Sequence, residues 1–156
     1  MSATRPALKL SVRTLSRVFS VLMIIASGSV LAIAAWLDPA TEAGQGTHTQ
    51  LGLGECTVLQ LTGWPCPMCG MTTTFSLMAH LQPLQALWNQ PFGVVLFAST
   101  AAVFAIGLIE LIQPRDRWRR IWARMLAVEG WLAVLFLGGL GLSWAWKIAL
   151  MRGWLG

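Results

Sequence analysis

Three long apolar segments divide this chain, and each is long enough to cross a membrane as a helix. They run over residues 18–37, 92–112 and 131–151. About 20 apolar residues, at 1.5 Å each, span the roughly 30 Å hydrocarbon core of a bilayer, and a helix satisfies its own backbone groups there. The pattern therefore predicts an all-α membrane protein with three transmembrane helices.

The positive residues are spread unevenly around these segments, and this predicts an orientation. Four Lys or Arg lie in residues 1–17, none in residues 38–91, five in residues 113–130, and two near the C-terminus. Positive residues favour the cytoplasmic side of short loops. We therefore predict a multi-pass protein of the bacterial inner membrane with a cytoplasmic N-terminus. Its loop 38–91 and its tail 152–156 would be exoplasmic.

A cleaved signal peptide ending at Ala32-Ile33-Ala34 is a competing interpretation of the first span. The apolar run is longer than the 7 to 15 residues of a signal peptide, and the charged region before it is also long. A retained anchor is the favoured interpretation.

Composition supports lipid as the main partner of the chain. Hydrophobic residues make up 56% of it and charged residues only 11%, against about 25% in soluble domains. The net charge of +5 lies beside the spans, so an anionic membrane surface is favoured and no nucleic-acid partner is expected. Small residues such as Gly28 and Gly139 would let helices pack closely, within the chain or against another membrane subunit. Glu110 and Lys147 lie near span ends, where snorkelling to the interface would explain them.

The loop between the first two spans contains a second helical pattern. Residues 40–54 are rich in Gly and Thr and predict an irregular connection. After Gly70, apolar residues recur at helical spacing until Pro83 interrupts them. We predict a short amphipathic exoplasmic helix, headed by the turn Cys66-Pro67-Met68-Cys69-Gly70.

All three cysteines lie in this loop and allow three interpretations. A structural disulfide would join Cys56 to Cys66 or Cys69, since exoplasmic compartments are oxidising. A redox pair would use Cys66 and Cys69 for catalysis, although no Lys or Arg is near in sequence to activate a thiolate. A zinc or copper site would use the three cysteines, with His80 or His48 as the fourth ligand.

The favoured prediction is a non-enzymatic accessory or scaffold protein with a structural cysteine turn. Membrane thiol–disulfide oxidoreductase and exoplasmic metal binding stay open as alternatives, and no cofactor is assigned firmly. Reaction, ligand and oligomeric state are not specified by these patterns.

Cys56 together with the run from Thr62 to Thr72 resembles the signature of a bacterial membrane-protein family, the domain of unknown function 2752 family. In its CPxCGxT core the motif positions besides the two cysteines are Pro67, Gly70 and Thr72. The later Gln90-Pro91-Phe92 is similar to the family's tail. The resemblance covers about residues 55–110 and implies a small multi-pass membrane protein without an established activity. Many members have Arg where this chain has Thr73, which weakens an anion-binding interpretation.

Overall fold

The fold consists of helices joined by short connections. A computed structural model describes residues 12–39, 46–115 and 117–154. The helices are α1 (Val12–Trp36), α2 (Thr57–Thr62), α3 (Met71–Ala79), α4 (Pro83–Asn89), α5 (Pro91–Ile112), α6 (Arg117–Ala127) and α7 (Glu129–Met151), with a 3₁₀ turn at Thr47–Leu51. No strand occurs within these ranges, which confirms the predicted all-α class. Three helices are long and apolar enough to cross a membrane: Thr14–Trp36 of α1, and all of α5 and α7.

Helices α1 and α5 form an antiparallel pair that is closely packed at glycines. A Cβ at Gly28 would lie 3.0 Å from the Phe104 ring, and one at Gly107 would lie 2.7 Å from Ile24. Both glycines therefore allow a close approach that a larger side chain would block.

Helix α7 packs on the beginning of α5 through residues near its own middle. The Phe92 ring stacks edge-on against Phe136 at 5.1 Å, and a Cβ at Gly139 would lie 2.9 Å from Phe92. In contrast, a Cβ at Gly138 or Gly141 would meet nothing within 4 Å. These two positions belong to a face of α7 that is turned away from the rest of the described chain.

Burial is inverted relative to a water-soluble protein. Most fully buried side chains are polar, for example those of Gln90 and Glu110. Large apolar side chains such as Trp131, Leu135 and Leu142 are instead exposed. Buried polar groups are stable only when hydrogen-bonded, and exposed apolar groups are stable in lipid. This distribution supports a membrane environment for the three long helices.

Glu110 corrects one prediction from the sequence. We expected its carboxylate to snorkel, but it is 1% exposed and accepts bonds from the Arg117 side chain at 3.1 Å and the Arg115 backbone N–H at 3.0 Å. Ser16 of α1 donates to it at 3.4 Å. Glu110 therefore ties the α5–α6 connection together beside α1, a role that depends on contacts distant in sequence.

The loop helices pack onto the spans. Phe75 of α3 stacks edge-on against Phe97 of α5 at 5.4 Å, and the Ser76 hydroxyl donates to the Leu37 carbonyl at the end of α1. Pro83 begins α4 and Pro91 begins α5, both at positions where a missing N–H has no cost. The predicted helix after Gly70 is thus present as α3 and is followed by a second short helix.

Parts of two predicted segments lie outside the described ranges. They are residues 1–11 of the basic N-terminal segment and residues 40–45 of the irregular connection. Where the predicted irregular segment is described, Thr47–Leu51 forms the 3₁₀ turn, and Thr47 is buried against α3. The Thr47 hydroxyl donates to the Thr73 hydroxyl at 2.9 Å, so Thr73 fastens the turn to α3.

Candidate thiolate centre

The three cysteine sulfurs converge at one point of the loop. The Sγ atoms of Cys56, Cys66 and Cys69 all lie within 4.8 Å of one another. All three are free thiols in the structure. The fold therefore brings together every sulfhydryl of the chain, and the predicted pairing of Cys56 with either partner stays a prediction.

Local backbone structure fixes the positions of these sulfurs. The Cys69 N–H donates to the Cys66 carbonyl at 2.9 Å, which closes the turn through Pro67 and Met68. Gly70 follows with a φ of 85°, a left-handed conformation that favours glycine, and caps the N-terminus of α3. Cys56 precedes the N-terminus of α2, with an ordinary negative φ of −59°. Two helix starts therefore point toward one cluster.

The junction between α4 and α5 holds the cysteine turn in place. Gln90 is fully buried and its Nε2 donates to the Pro67 carbonyl at 3.0 Å. The Asn89 amide donates to the Gly70 carbonyl at 3.0 Å and to the Thr74 hydroxyl at 2.9 Å. The Gln90 Oε1 atom is a buried acceptor without a partner among the described residues. Gln90 therefore positions the cysteine turn.

Helix α7 covers the same turn from the other side. The Trp144 indole donates to the Pro65 carbonyl at 2.7 Å, and Arg152 lies 4.3 Å from the centre of the Trp64 ring. The Trp146 indole donates to the Trp88 carbonyl at 2.7 Å. The third span therefore belongs to the structural support of the site.

Lys147 is the functional residue that sequence reasoning missed. We interpreted it as a snorkelling side chain and found no cation near the cysteines. Instead it is 3% exposed, donates to Asn89 Oδ1 at 2.6 Å and interacts electrostatically with Cys69. A Lys within an apolar segment was the available signal. Its partner could not be identified, because α7 follows the cysteine turn only after another complete span.

Cys56 and Cys69 differ in their readiness to ionise. Interaction with the Leu59 backbone N–H, in the first turn of α2, lowers the pKa of Cys56 to about 7, and the neighbouring cysteines add to this. Burial raises the pKa of Cys69 to about 12. Cys56 therefore ionises far more readily than Cys69.

The histidines predicted as fourth ligands lie away from the cluster. His80 ends α3 at the end opposite Gly70, and its Nδ1 lies 2.9 Å from the Ser76 carbonyl. His48 Nε2 lies 3.2 Å from the Gly54 carbonyl. Neither belongs to the group of side chains close enough to share an ion, which among the described residues consists of the three cysteines.

The spacing of the sulfurs fits a thiophilic metal ion. With Zn–S bonds of about 2.3 Å, tetrahedral geometry places two sulfurs about 3.8 Å apart. Each pair within the 4.8 Å limit would then need to close by about 1 Å or less. Thiolates are soft ligands that favour zinc or monovalent copper over magnesium or calcium. The three cysteines can therefore hold such an ion with small side-chain rotations.

Comparison with known proteins identifies the family of this segment. Residues 56–104 match a family model described as "Protein of unknown function (DUF2752)", which confirms the resemblance predicted from the sequence. No curated protein and no solved structure matches the chain significantly. The match includes all three cysteines, α3 and α4, and ends before α7 begins.

Proposed function

We propose that this protein is an integral membrane protein that binds one zinc ion through Cys56, Cys66 and Cys69. The convergence of the three sulfurs within 4.8 Å is the observation that carries this proposal. The distribution of Lys and Arg along the sequence supports placing the ion on the exoplasmic side of the bacterial inner membrane.

Charge balance favours zinc over monovalent copper. Three thiolates around Zn²⁺ leave one negative charge, and the ammonium of Lys147 next to Cys69 neutralises it. The same thiolates around Cu⁺ would leave one negative charge uncompensated by Lys147. Since uncompensated charge is costly where Lys147 and Cys69 are buried, the neutral assembly is the more stable one.

The ion would act as a structural link within the loop. Cys56 begins α2, whereas Cys66 and Cys69 belong to the turn before α3, so a shared ion would join these two elements. A water or a donor from another membrane subunit would fill the fourth position. This agrees with a non-enzymatic accessory or scaffold role.

Metal analysis of the full chain tests the proposal. The protein, purified in detergent under reducing conditions and stripped with a chelator, is given equal amounts of Zn²⁺ and Cu⁺, dialysed, and analysed for both metals. We expect about one zinc per chain, because a shared thiolate site holds a single ion. Changing any one cysteine to Ser should abolish retention, while His80→Ala should keep it. Retention that survives all three Cys→Ser changes would contradict the proposal, and preferential copper binding would contradict the choice of zinc.

A second candidate is thiol–disulfide exchange, and one observation favours it. Cys56 is partly exposed, has a lowered pKa and lies within reach of two further sulfurs. This arrangement suggests Cys56 as the attacking thiolate, rather than the Cys66–Cys69 pair alone. In cells expressing Cys66→Ser or Cys69→Ser, a mixed disulfide with another protein through Cys56 would support exchange. Absence of such a species in both variants would remove this candidate.

A further inference from the structure

A basic cavity lies at the other end of α5, far from the cysteines. It has a volume of about 400 Å³. Arginine and isoleucine side chains from the end of α5, the connection and α6 line it: Ile106, Arg115, Arg117, Arg120, Ile121 and Arg124. Since α5 has 22 residues, its two ends are about 33 Å apart. The cavity and the thiolate centre therefore lie on opposite sides of the bilayer that α5 would cross.

Specific contacts organise the arginines around this cavity. Glu110 binds Arg117 at 3.1 Å, which is the one salt bridge formed between side chains of the described part of the chain. Arg120 donates to the Arg115 carbonyl, and Arg117 also donates to the Gln113 carbonyl at 2.6 Å. These bonds fold the connection so that positively charged groups line one space. Glu110 thus forms a salt bridge with Arg117, one of the four arginines that line the cavity.

Helix α6 is held at the level where lipid headgroups would lie. The Trp118 indole donates to the Ser20 hydroxyl of α1 at 2.9 Å, and its ring stacks edge-on against Phe19 at 5.4 Å. Trp122 and Met125 are exposed and apolar. A basic amphipathic helix of this kind lies in the interface with its apolar side in the acyl region. The cavity is thus open to the layer in which phosphate groups of phospholipids lie.

We propose that this cavity binds the phosphate of an anionic phospholipid headgroup. Guanidinium groups match phosphate oxygens with paired hydrogen bonds. Ile106 and Ile121 provide apolar walls that a free phosphate would not use and that the glycerol and first acyl carbons of a lipid would contact. Basic pockets beside spans, at the cytoplasmic surface, are suited to such headgroups. This site is independent of the proposed zinc centre.

Lipid retention by the full chain tests the proposal. The protein is reconstituted in nanodiscs that contain equal parts of phosphatidylcholine and phosphatidylglycerol with identical acyl chains, and native mass spectrometry counts the lipids that stay bound. We expect wild-type protein to retain phosphatidylglycerol preferentially. Each arginine near a membrane surface changes affinity for anionic lipid by about fivefold, so Arg120→Gln with Arg124→Gln should lower the preference roughly 25-fold. Arg119→Gln is the matched control, because Arg119 is on the same helix but does not line the cavity.

The outcomes separate a specific site from general surface charge. A preference lost in the double variant but kept in Arg119→Gln would support the site, provided that both variants melt at the wild-type temperature. A double variant that melts lower is replaced by Arg124→Lys, which keeps the charge but loses the guanidinium fork and should still weaken retention. A loss in Arg119→Gln that is as large, per removed arginine, as the loss in the double variant would overturn the proposal. So would a wild-type protein without preference, or one in which inorganic phosphate displaces phosphatidylglycerol completely.

Discussion

The different environments of Cys56 and Cys69 predict an order of thiol reactivity in the zinc-free, reduced protein. With a pKa of about 7, Cys56 is about half ionised at pH 7, compared with about 3% for an ordinary thiol with a pKa near 8.5. That is roughly a 16-fold advantage in thiolate. A less basic thiolate is less nucleophilic, with a Brønsted coefficient of about 0.4 to 0.5, which reduces the advantage to about threefold.

Cys69 should react last. With a pKa of about 12, only about one molecule in 100,000 carries its thiolate at pH 7, and the residue is 6% exposed. Reaction at Cys69 therefore depends on opening of the loop. Its rate should report the stability of α3 and the cysteine turn rather than thiol chemistry.

The assay is exchange with a small disulfide reagent between pH 5.5 and 9, with the modified cysteine located by mass spectrometry of peptides. Cys56 should be modified first, and its rate should level off above pH 7. Cys56→Ser should remove this fast reaction, and zinc should slow modification of all three sites. The reasoning is refuted if Cys69 reacts as fast as Cys56, or if the Cys56 rate still rises tenfold per pH unit above pH 8.

Three further substitutions test the support of the site. Lys147→Met should weaken zinc binding about 10- to 100-fold, because loss of the groups around metal ligands typically has this effect. Competition with a chelating dye measures the affinity, and an unchanged affinity would exclude a role for the ammonium. Gly93→Ala would place a Cβ 2.9 Å from Thr74 Cγ2 and should lower the free energy of unfolding by about 1–3 kcal/mol, seen as a lower melting temperature in detergent. Gly138→Ala is the control, because its Cβ would lie in open space and should not lower the melting temperature. Gly70→Ala forces a left-handed alanine and should cost about 1–2 kcal/mol in the same measurement.

Sequence patterns predicted three long helices because each of them is predominantly apolar. The second span was predicted at 92–112 and the helix is Pro91–Ile112; the third was predicted at 131–151 and the helix is Glu129–Met151. The start of α5 at Pro91 lies within one residue of the predicted start, whereas Pro83 was interpreted as interrupting a helix and instead begins α4. Local rules suffice when an element is determined by its own composition.

The site was predictable only in part, because its support comes from distant elements. The clustering of Cys66 and Cys69 follows from their spacing, but Cys56 reaches them through the path of α2. Lys147 meets Asn89 across 58 positions of sequence. Hydrophobic periodicity predicts which residues share a face of one helix, but it does not predict which helix faces pack together. The placement of Lys147 in an apolar segment could be seen in the sequence, but its partner Asn89 could not. The snorkelling interpretation was wrong for that reason.

The family match ends before α7, although α7 contacts the cysteine turn. Residues 56–104 contain all three thiols, yet Lys147 and Trp144 come from α7, outside that segment. A cluster of thiolates that includes the buried Cys69 is stabilised by a compensating positive charge and by hydrogen bonds to nearby carbonyl groups, and α7 contributes Lys147 and Trp144 to these. The matched segment has Lys or Arg at none of its positions, so it cannot supply that charge itself. The cysteine cluster is therefore supported by the loop and the third span together, and the isolated segment would lack the charge that stabilises the proposed metal site.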